Sequence, residues 1–270
     1  MRIFYFLCCL LLLMSCNKMN NKRRSTQYQP EHFFSETELP IGRAIIDGDN
    51  SKLKHLIKQG GVNISQPGKM GYTYLLYAME FENYEAMEIL LSSGSDPNVA
   101  SSRMYVPGAG IQKKPSMNTC IGTCAYSQYG MKYLKLLIKY GVNINDNQNI
   151  LVLEKAIGYH RDEMIDFLLK NGAELNVIST FGTTPIITAT QGAQWDLVER
   201  LLDLGADPFL EVQLGTDGSR SSSVKGWVEY NLSVTEGTRE SNKKLAKLLK
   251  RLEGMGMTFD YSQSRRKFEK

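Results

Sequence analysis

The chain has 270 residues, a formal net charge of +4, and 42% hydrophobic against 22% charged side chains. That composition excludes a disordered polymer and leaves room for one large domain or a repeat array, and with three of the five cysteines in the first sixteen residues, Cys120 and Cys124 alone are too few for a disulfide-stapled scaffold. The charge is uneven. Residues 1–30 carry five bases and no acid, residues 239–270 carry ten bases and four acids, and the stretch between them is net −7. The basic ends lack interleaved aromatics, which argues against nucleic acid as a partner.

In chain order, the first element is Arg2 followed by an apolar run from Ile3 to Met14, about half the roughly 20 residues a membrane-spanning helix needs. It reads as a secretion signal. The run closes on Leu13-Met14-Ser15-Cys16, which resembles the lipobox of bacterial lipoproteins. The resemblance implies a signal peptide over residues 1–16 and lipidation of Cys16, with a lipid anchor as one contact to the membrane. Residues 17–35 are then expected as a polar, basic tether, with Lys18, Lys22, Arg23 and Arg24 beside anionic headgroups. Asn17 is not the aspartate that retains lipoproteins in the inner membrane, so the expected place is the cell envelope, on the periplasmic face of an outer membrane. In a host with a single membrane, the same signal implies the cell exterior.

From about residue 36 the chain repeats. "LKHLIKQG", "AMEILLSSGSDPN", "LKLLIKYGVNIN", "MIDFLLKNGAELN" and "LVERLLDLGADPF" each run an apolar helix into a glycine. A column of alanines, Ala44, Ala78, Ala125, Ala156 and Ala189, precedes those glycines by sixteen residues in all five units. Small alanines let a first helix approach its neighbour, leucine pairs on a second helix fill the core, and glycine ends that helix where a left-handed residue is cheap. The pattern, nearest to consensus in "GTTPIITA" and "LLDLGADP", resembles the ankyrin repeat. It implies an all-α ankyrin-repeat solenoid over residues 36–260, made of helix-turn-helix plus β-hairpin units. About six repeats are expected. The last is degenerate, with "VKGWVEYNL" and "ESNKKLAKLLKRLEGMG" as a solvated cap, and residues 261–270 form a basic tail. No unit has the consensus histidine, and the third replaces the usual start with "TCIGTCA". Cys120 and Cys124 there share a helix face at a spacing poorly suited to a bridge; they are either small buried side chains or a redox pair.

Two insertions interrupt the register, "ASSRMYVPGAGIQKKPS" and "EVQLGTDGSRSSSVKG". Both follow a closing glycine, so they are expected as extended hairpins, presenting Arg103, Met104, Tyr105 and Ile111 in one and Arg220 in the other. They are either recognition loops or neutral expansions, since loop length costs little. Carrying over the family's contact positions adds Lys69, Met70, Tyr72 and Phe181 before first helices, and Glu80, Phe81, Ser127, Gln128, Tyr159 and Gln191 after the alanines. Aromatics among acids and amides suit a protein interface. Part of this set is equally suited to the interior of a repeat, as are Tyr74 and Tyr77.

Catalytic signatures are missing. His32, His55 and His160 form no metal motif, with His160 in a turn between helices, and "NINDNQN" has one carboxylate, Asp146, too few for calcium. No nucleophile elbow or phosphate loop occurs. The expectation is a protein that is not an enzyme, without cofactor, metal or small-molecule substrate, whose partner is a protein. Bacterial ankyrin lipoproteins of this type resemble immunity proteins that guard the periplasm against toxins, type VI secreted phospholipases among them. The alternative is an envelope scaffold or assembly factor.

Overall fold

The computed structural model describes residues 29–101, 104–106, 110–112, 119–125, 130–146, 151–180, 182–214, 220–234 and 236–266. The described residues form six helix pairs in two units, residues 1–143 and 144–270. The expected signal peptide with Cys16, and most of the expected tether, lie outside the described residues.

The first unit holds α1 (Pro30–Phe33), α2 (Leu39–Asp47), α3 (Asn50–Gln59), α4 (Tyr74–Glu80), α5 (Tyr84–Ser92), β1 (Met104–Val106), β2 (Gly110–Gln112), α6 (Cys120–Cys124) and α7 (Gly130–Lys139). The second holds α8 (Val152–Gly158), α9 (Asp162–Lys170), α10 (Pro185–Gln191), α11 (Trp195–Asp203), β3 (Val212–Leu214), β4 (Arg220–Ser222), α12 (Val224–Val234) and α13 (Arg239–Gly254). The two insertions are antiparallel hairpins, with Tyr105 opposite Ile111 in β1–β2 and Gln213 opposite Ser221 in β3–β4.

The two sequence columns become structural landmarks. Ala44, Ala78, Ala125, Ala156 and Ala189 are each at most 1% exposed. The closing glycines Gly60, Gly94, Gly141, Gly172, Gly205 and Gly256 have φ between 77° and 99°. A Cβ on any of them would meet nothing within 4 Å. Backbone conformation, not space, therefore selects glycine there. Four residues after Ala44, Ala78, Ala156 and Ala189 comes a second left-handed position, between the helices of a pair. Gly48 holds it once, but Glu82, His160 and Ala193 hold it at φ 56°, 53° and 52°. Side chains carry strain there. His160→Gly should therefore raise the urea midpoint, by about 0.5–1 kcal/mol after the added freedom of the unfolded chain is subtracted. A drop in midpoint would show that the imidazole contributes more than the strain costs.

In the first unit the expected tether ends early. Phe33 and Phe34 are each 1% exposed, because α1 lays them against the second repeat. Phe34 stacks on Tyr74 at 4.5 Å and meets Tyr77 edge-on at 5.1 Å, while Phe33 lies 4.7 Å from Tyr72. The approach depends on two glycines: a Cβ at Gly42 would come within 2.6 Å of the Phe34 ring, and one at Gly68 within 2.5 Å of the Phe33 carbonyl oxygen. Residues 30–35 are thus part of the folded array, and the expected boundary at 35 is corrected. The third pair accommodates its odd start by shortening α6 to five residues, capped by Thr119, whose hydroxyl accepts the Gly122 amide at 3.2 Å. Cys120 and Cys124 are free thiols, 1% and 0% exposed, and burial pushes the Cys120 thiol up to about 12. They are core side chains rather than a redox pair.

Within each unit, neighbouring repeats are stitched by side-chain amides. In the first unit, Asn83 Nδ2 donates to the Ile45 carbonyl at 3.0 Å, and Asn98 Oδ1 accepts the Asn143 amide at 2.6 Å. In the second unit, Gln194 donates to the Ile157 carbonyl at 3.0 Å. Asn145 Oδ1 accepts the Glu174 amide at 2.9 Å, and Asn176 Oδ1 accepts the Asp207 amide at 2.8 Å. Each bond joins the turn of one repeat to the backbone of a neighbouring one, so the register propagates from repeat to repeat.

The last pair closes the second unit. Leu245, Leu248, Leu249 and Leu252 bury the inner face of α13, which packs on α11. The chain then folds back instead of trailing off at 261 as expected. The Arg265 amide donates to the Leu232 carbonyl at 2.8 Å. Arg266 is 7% exposed and donates to the Asn231 carbonyl at 3.0 Å and to Asn242 Oδ1 at 2.8 Å. The tail is folded at least through Arg266.

Candidate partner-binding surface

The first helices of the second unit, α8, α10 and α12, lie side by side, with α10 between the other two. Neighbouring axes at such contacts are about 8–10 Å apart. Buried residues anchor each helix: Val152, Leu153, Ala156 and Ile157 on α8; Ile186, Ile187 and Ala189 on α10; Val224, Val228 and Leu232 on α12. Their C-terminal halves then present Tyr159 (54% exposed), Gln191 and Tyr230 (55% exposed) to solvent. Val234 is exposed, and the half-buried Trp227 meets Tyr230 edge-on at 5.4 Å. Trp227 donates its indole N–H to Ser222 Oγ at 3.1 Å, which fixes the ring beside the β3–β4 hairpin. Rigid aromatic rings held partly in the open are typical interface anchors.

The sequence reading found Tyr159 and Gln191 but missed Trp227, Tyr230 and Val234, having treated α12 only as a degenerate cap. The signal was present: Val224, Val228 and Leu232 at spacing four mark the buried face, which leaves 227, 230 and 234 on an adjoining one.

The first unit treats the expected residues differently. Lys69 is exposed and Met70 half-buried in the turn before α4, and Glu80 is half-buried at the end of α4. Tyr72 and Phe81, expected to contact a partner, are 7% and 1% exposed. Phe33 covers Tyr72, and the Phe81 ring turns inward to lie 4.8 Å from Tyr77. These two positions are corrected to core residues of the first unit. Met104, Tyr105 and Ile111 take their places in β1 and β2, and Arg220 in β4, by backbone pairing. Arg103, Ser127, Gln128 and Phe181 lie outside the described residues.

Two polar features of the second unit bear on chemistry. An open groove of about 580 Å³ runs across the N-termini of α9, α11 and α13. Carboxylates in it are engaged across repeats: Asp166 pairs with Arg200, and Asp196 Oδ2 with Lys244 Nζ at 2.7 Å, while Trp195 donates to Ser241 Oγ at 3.1 Å. Acids at helix N-termini are what the helix dipole favours, so this is a seam between repeats. The second feature is Glu154 on α8, 2% exposed, with neither carboxylate oxygen hydrogen-bonded. It stands two residues before Ala156, where three other repeats bury Leu76, Thr123 and Ile187 and the first has Gly42. Burial pushes its carboxyl up to about 8, partly offset by the nearby Ser179 hydroxyl. At neutral pH it is therefore mostly protonated. Among the described residues, no group of three His, Cys, Asp or Glu side chains could hold a metal ion.

Residues 123–212 match the family model "Ankyrin repeats (3 copies)". Similar curated proteins include human transient receptor potential cation channel subfamily A member 1, 34% identical over 74 residues covering 27% of this chain and 7% of the channel. An ankyrin repeat protein of fowlpox virus, FPV034, is 25% identical over 143 residues, 52% of this chain and 30% of that protein. Another, L86 of Acanthamoeba polyphaga mimivirus, is 29% identical over 168 residues, 57% of this chain and 29% of that protein. The chain thus spans less than a third of the length of each of these relatives. Among solved structures, the ankyrin repeat domain of Bcl-3 aligns with a TM-score of 0.56 at 18% identity, covering 84% of this chain and 89% of that one. The fold is an ankyrin-repeat solenoid, and ankyrin repeats imply a protein-binding module.

Proposed function

We propose that the protein is a membrane-tethered, non-enzymatic binding module, an immunity protein that sterically blocks a toxin acting in the periplasm, such as a type VI secreted phospholipase. The observation carrying the binding part is the row of exposed Tyr159, Gln191 and Tyr230 with Val234 on three adjacent first helices, braced by Trp227. The tether rests on the lipobox-like Leu13-Met14-Ser15-Cys16, which would hold the inhibitor at the membrane where the toxin acts. A usual interface of about 1,600 Å² would cover a toxin's active site with this row and the β3–β4 hairpin beside it.

The test uses the chain from Asn17 onward to capture a partner from the producing strain, followed by affinity and inhibition measurements. Tyr159→Ala and Tyr230→Ala should each weaken binding by about 10- to 30-fold, the range of aromatic hot spots, without moving the unfolding midpoint. In cells, Cys16→Ser should abolish both incorporation of labelled palmitate and protection. Survival that does not depend on this protein against any co-encoded toxin would sink the immunity reading. A tight endogenous envelope partner would replace it with a scaffold.

A further inference from the structure

The lysines of α13 divide into two sets. Those facing α11 are engaged: Lys244 bridges Asp196, and Arg251 lies 2.7 Å from both Glu199 and Asp203. The outer set is Lys243, Lys247 and Lys250, at spacings of four and three, so they share one face opposite the buried leucines. Lys243 and Lys250 are exposed and carry no ion pair among the described residues, and Lys247 stays 78% exposed with Glu199 only at 4.0 Å. Each outer lysine thus has another lysine one turn away. Like charges at that spacing destabilise a helix, so a merely solvated face would do better with acids interleaved.

The acids that flank the row on α13 are engaged: Glu253, three residues after Lys250, accepts the Tyr261 hydroxyl at 2.7 Å, and Glu240, three residues before Lys243, lies 3.7 Å from Lys244 Nζ. Tyr261, tied to α13 through Glu253, is 41% exposed, and Met255, at the end of α13, is 45% exposed.

We infer that this outer face of α13, with Tyr261, docks on an anionic lipid surface. The choice of cation favours lipid over an acidic protein. Planar recognition of single carboxylates would use arginine, yet Arg251 and Arg266 are spent on internal bonds, and apart from Arg239 at the start of α13 the exposed cations of this face are lysines, point charges suited to a diffuse anionic layer. Lysine stems and a tyrosine ring also suit the headgroup level, where apolar bodies sink and polar tips stay wet. This contact is independent of the lipid on Cys16 and of any toxin.

The experiment is sedimentation of the unacylated chain from Asn17 to Lys270 with vesicles of phosphatidylcholine alone or with 30% phosphatidylglycerol. Binding is expected only to the anionic vesicles, and should fall steeply as salt rises and the Debye length shortens. Lys243→Gln, Lys247→Gln and Lys250→Gln should each lower partitioning about five-fold, and together by about two orders of magnitude. Circular dichroism should stay unchanged, since the three side chains are exposed. Equal binding to both vesicles, undiminished binding by the triple variant, or retention on immobilised polyglutamate but not on vesicles would each overturn the proposal. None of these outcomes bears on the immunity reading, which uses a different face and a different assay.

Discussion

Above about pH 4.5, replacing Glu154 with glutamine should stabilise the protein by an amount that grows with pH. The folded carboxyl titrates near 8, against the ordinary glutamate value of 4.5, because burial in the joint between repeats disfavours its charge. A raised acid keeps its proton in the folded state while the unfolded chain releases it. Stability therefore falls as pH rises from about 4.5 to about 8, and levels off above that. Below pH 4.5 wild type and Glu154→Gln should differ only by the fixed cost of the amide. Above pH 8 the variant should gain a few kcal/mol, with about 5 as a ceiling from the size of the shift. Urea unfolding at pH 4, 6 and 9 checks this. A difference between the two proteins that does not change with pH would show that the carboxyl is not buried as described. Glu154→Leu, copying Leu76 of the second repeat, should stabilise at every pH.

Phe34→Ala should cost about 3–5 kcal/mol, the range for emptying a fully buried aromatic site. Its ring contacts Tyr74 and Tyr77 and lies under Gly42, so the gap has no flexible neighbour to fill it. A chain beginning at residue 36 should lose at least as much, since it also removes Phe33 from Tyr72 and Tyr77. Chemical denaturation of the full chain provides the measurement. A loss below about 1 kcal/mol would return residues 30–35 to the tether. Phe81→Ala belongs with this class: its effect should appear in the unfolding midpoint before it appears in any binding assay.

The contrast between Phe81 and Tyr159 marks the limit of reading this molecule from its residues. Both follow a buried alanine by three positions, and carried-over contact positions make them equivalent. Tyr159 is open to solvent because no described element covers the end of α8. Phe81 is closed because Tyr77, itself pressed by Phe33 and Phe34, gives its ring an aromatic surface to bury. Locally they differ at the residue four positions before, Tyr77 against Lys155; what holds Tyr77 in place are two phenylalanines almost fifty residues upstream.

What the amino-acid sequence by itself determined was the register of the array. Alanines that must be small for helices to touch and glycines that must be left-handed to end them are local demands, satisfied by residue type at fixed spacing, and so visible in a string of letters. The hairpin insertions were visible for the same reason, as breaks in that spacing. What only the tertiary structure decided was which side of an amphipathic element is covered: the docking of α1 onto the second repeat, the return of Arg266 to Asn231, the openness of Trp227 and Tyr230, and the isolation of Glu154. Helical period tells which residues share a face. Whether that face meets water depends on contacts between residues distant in sequence, which only the folded chain brings together.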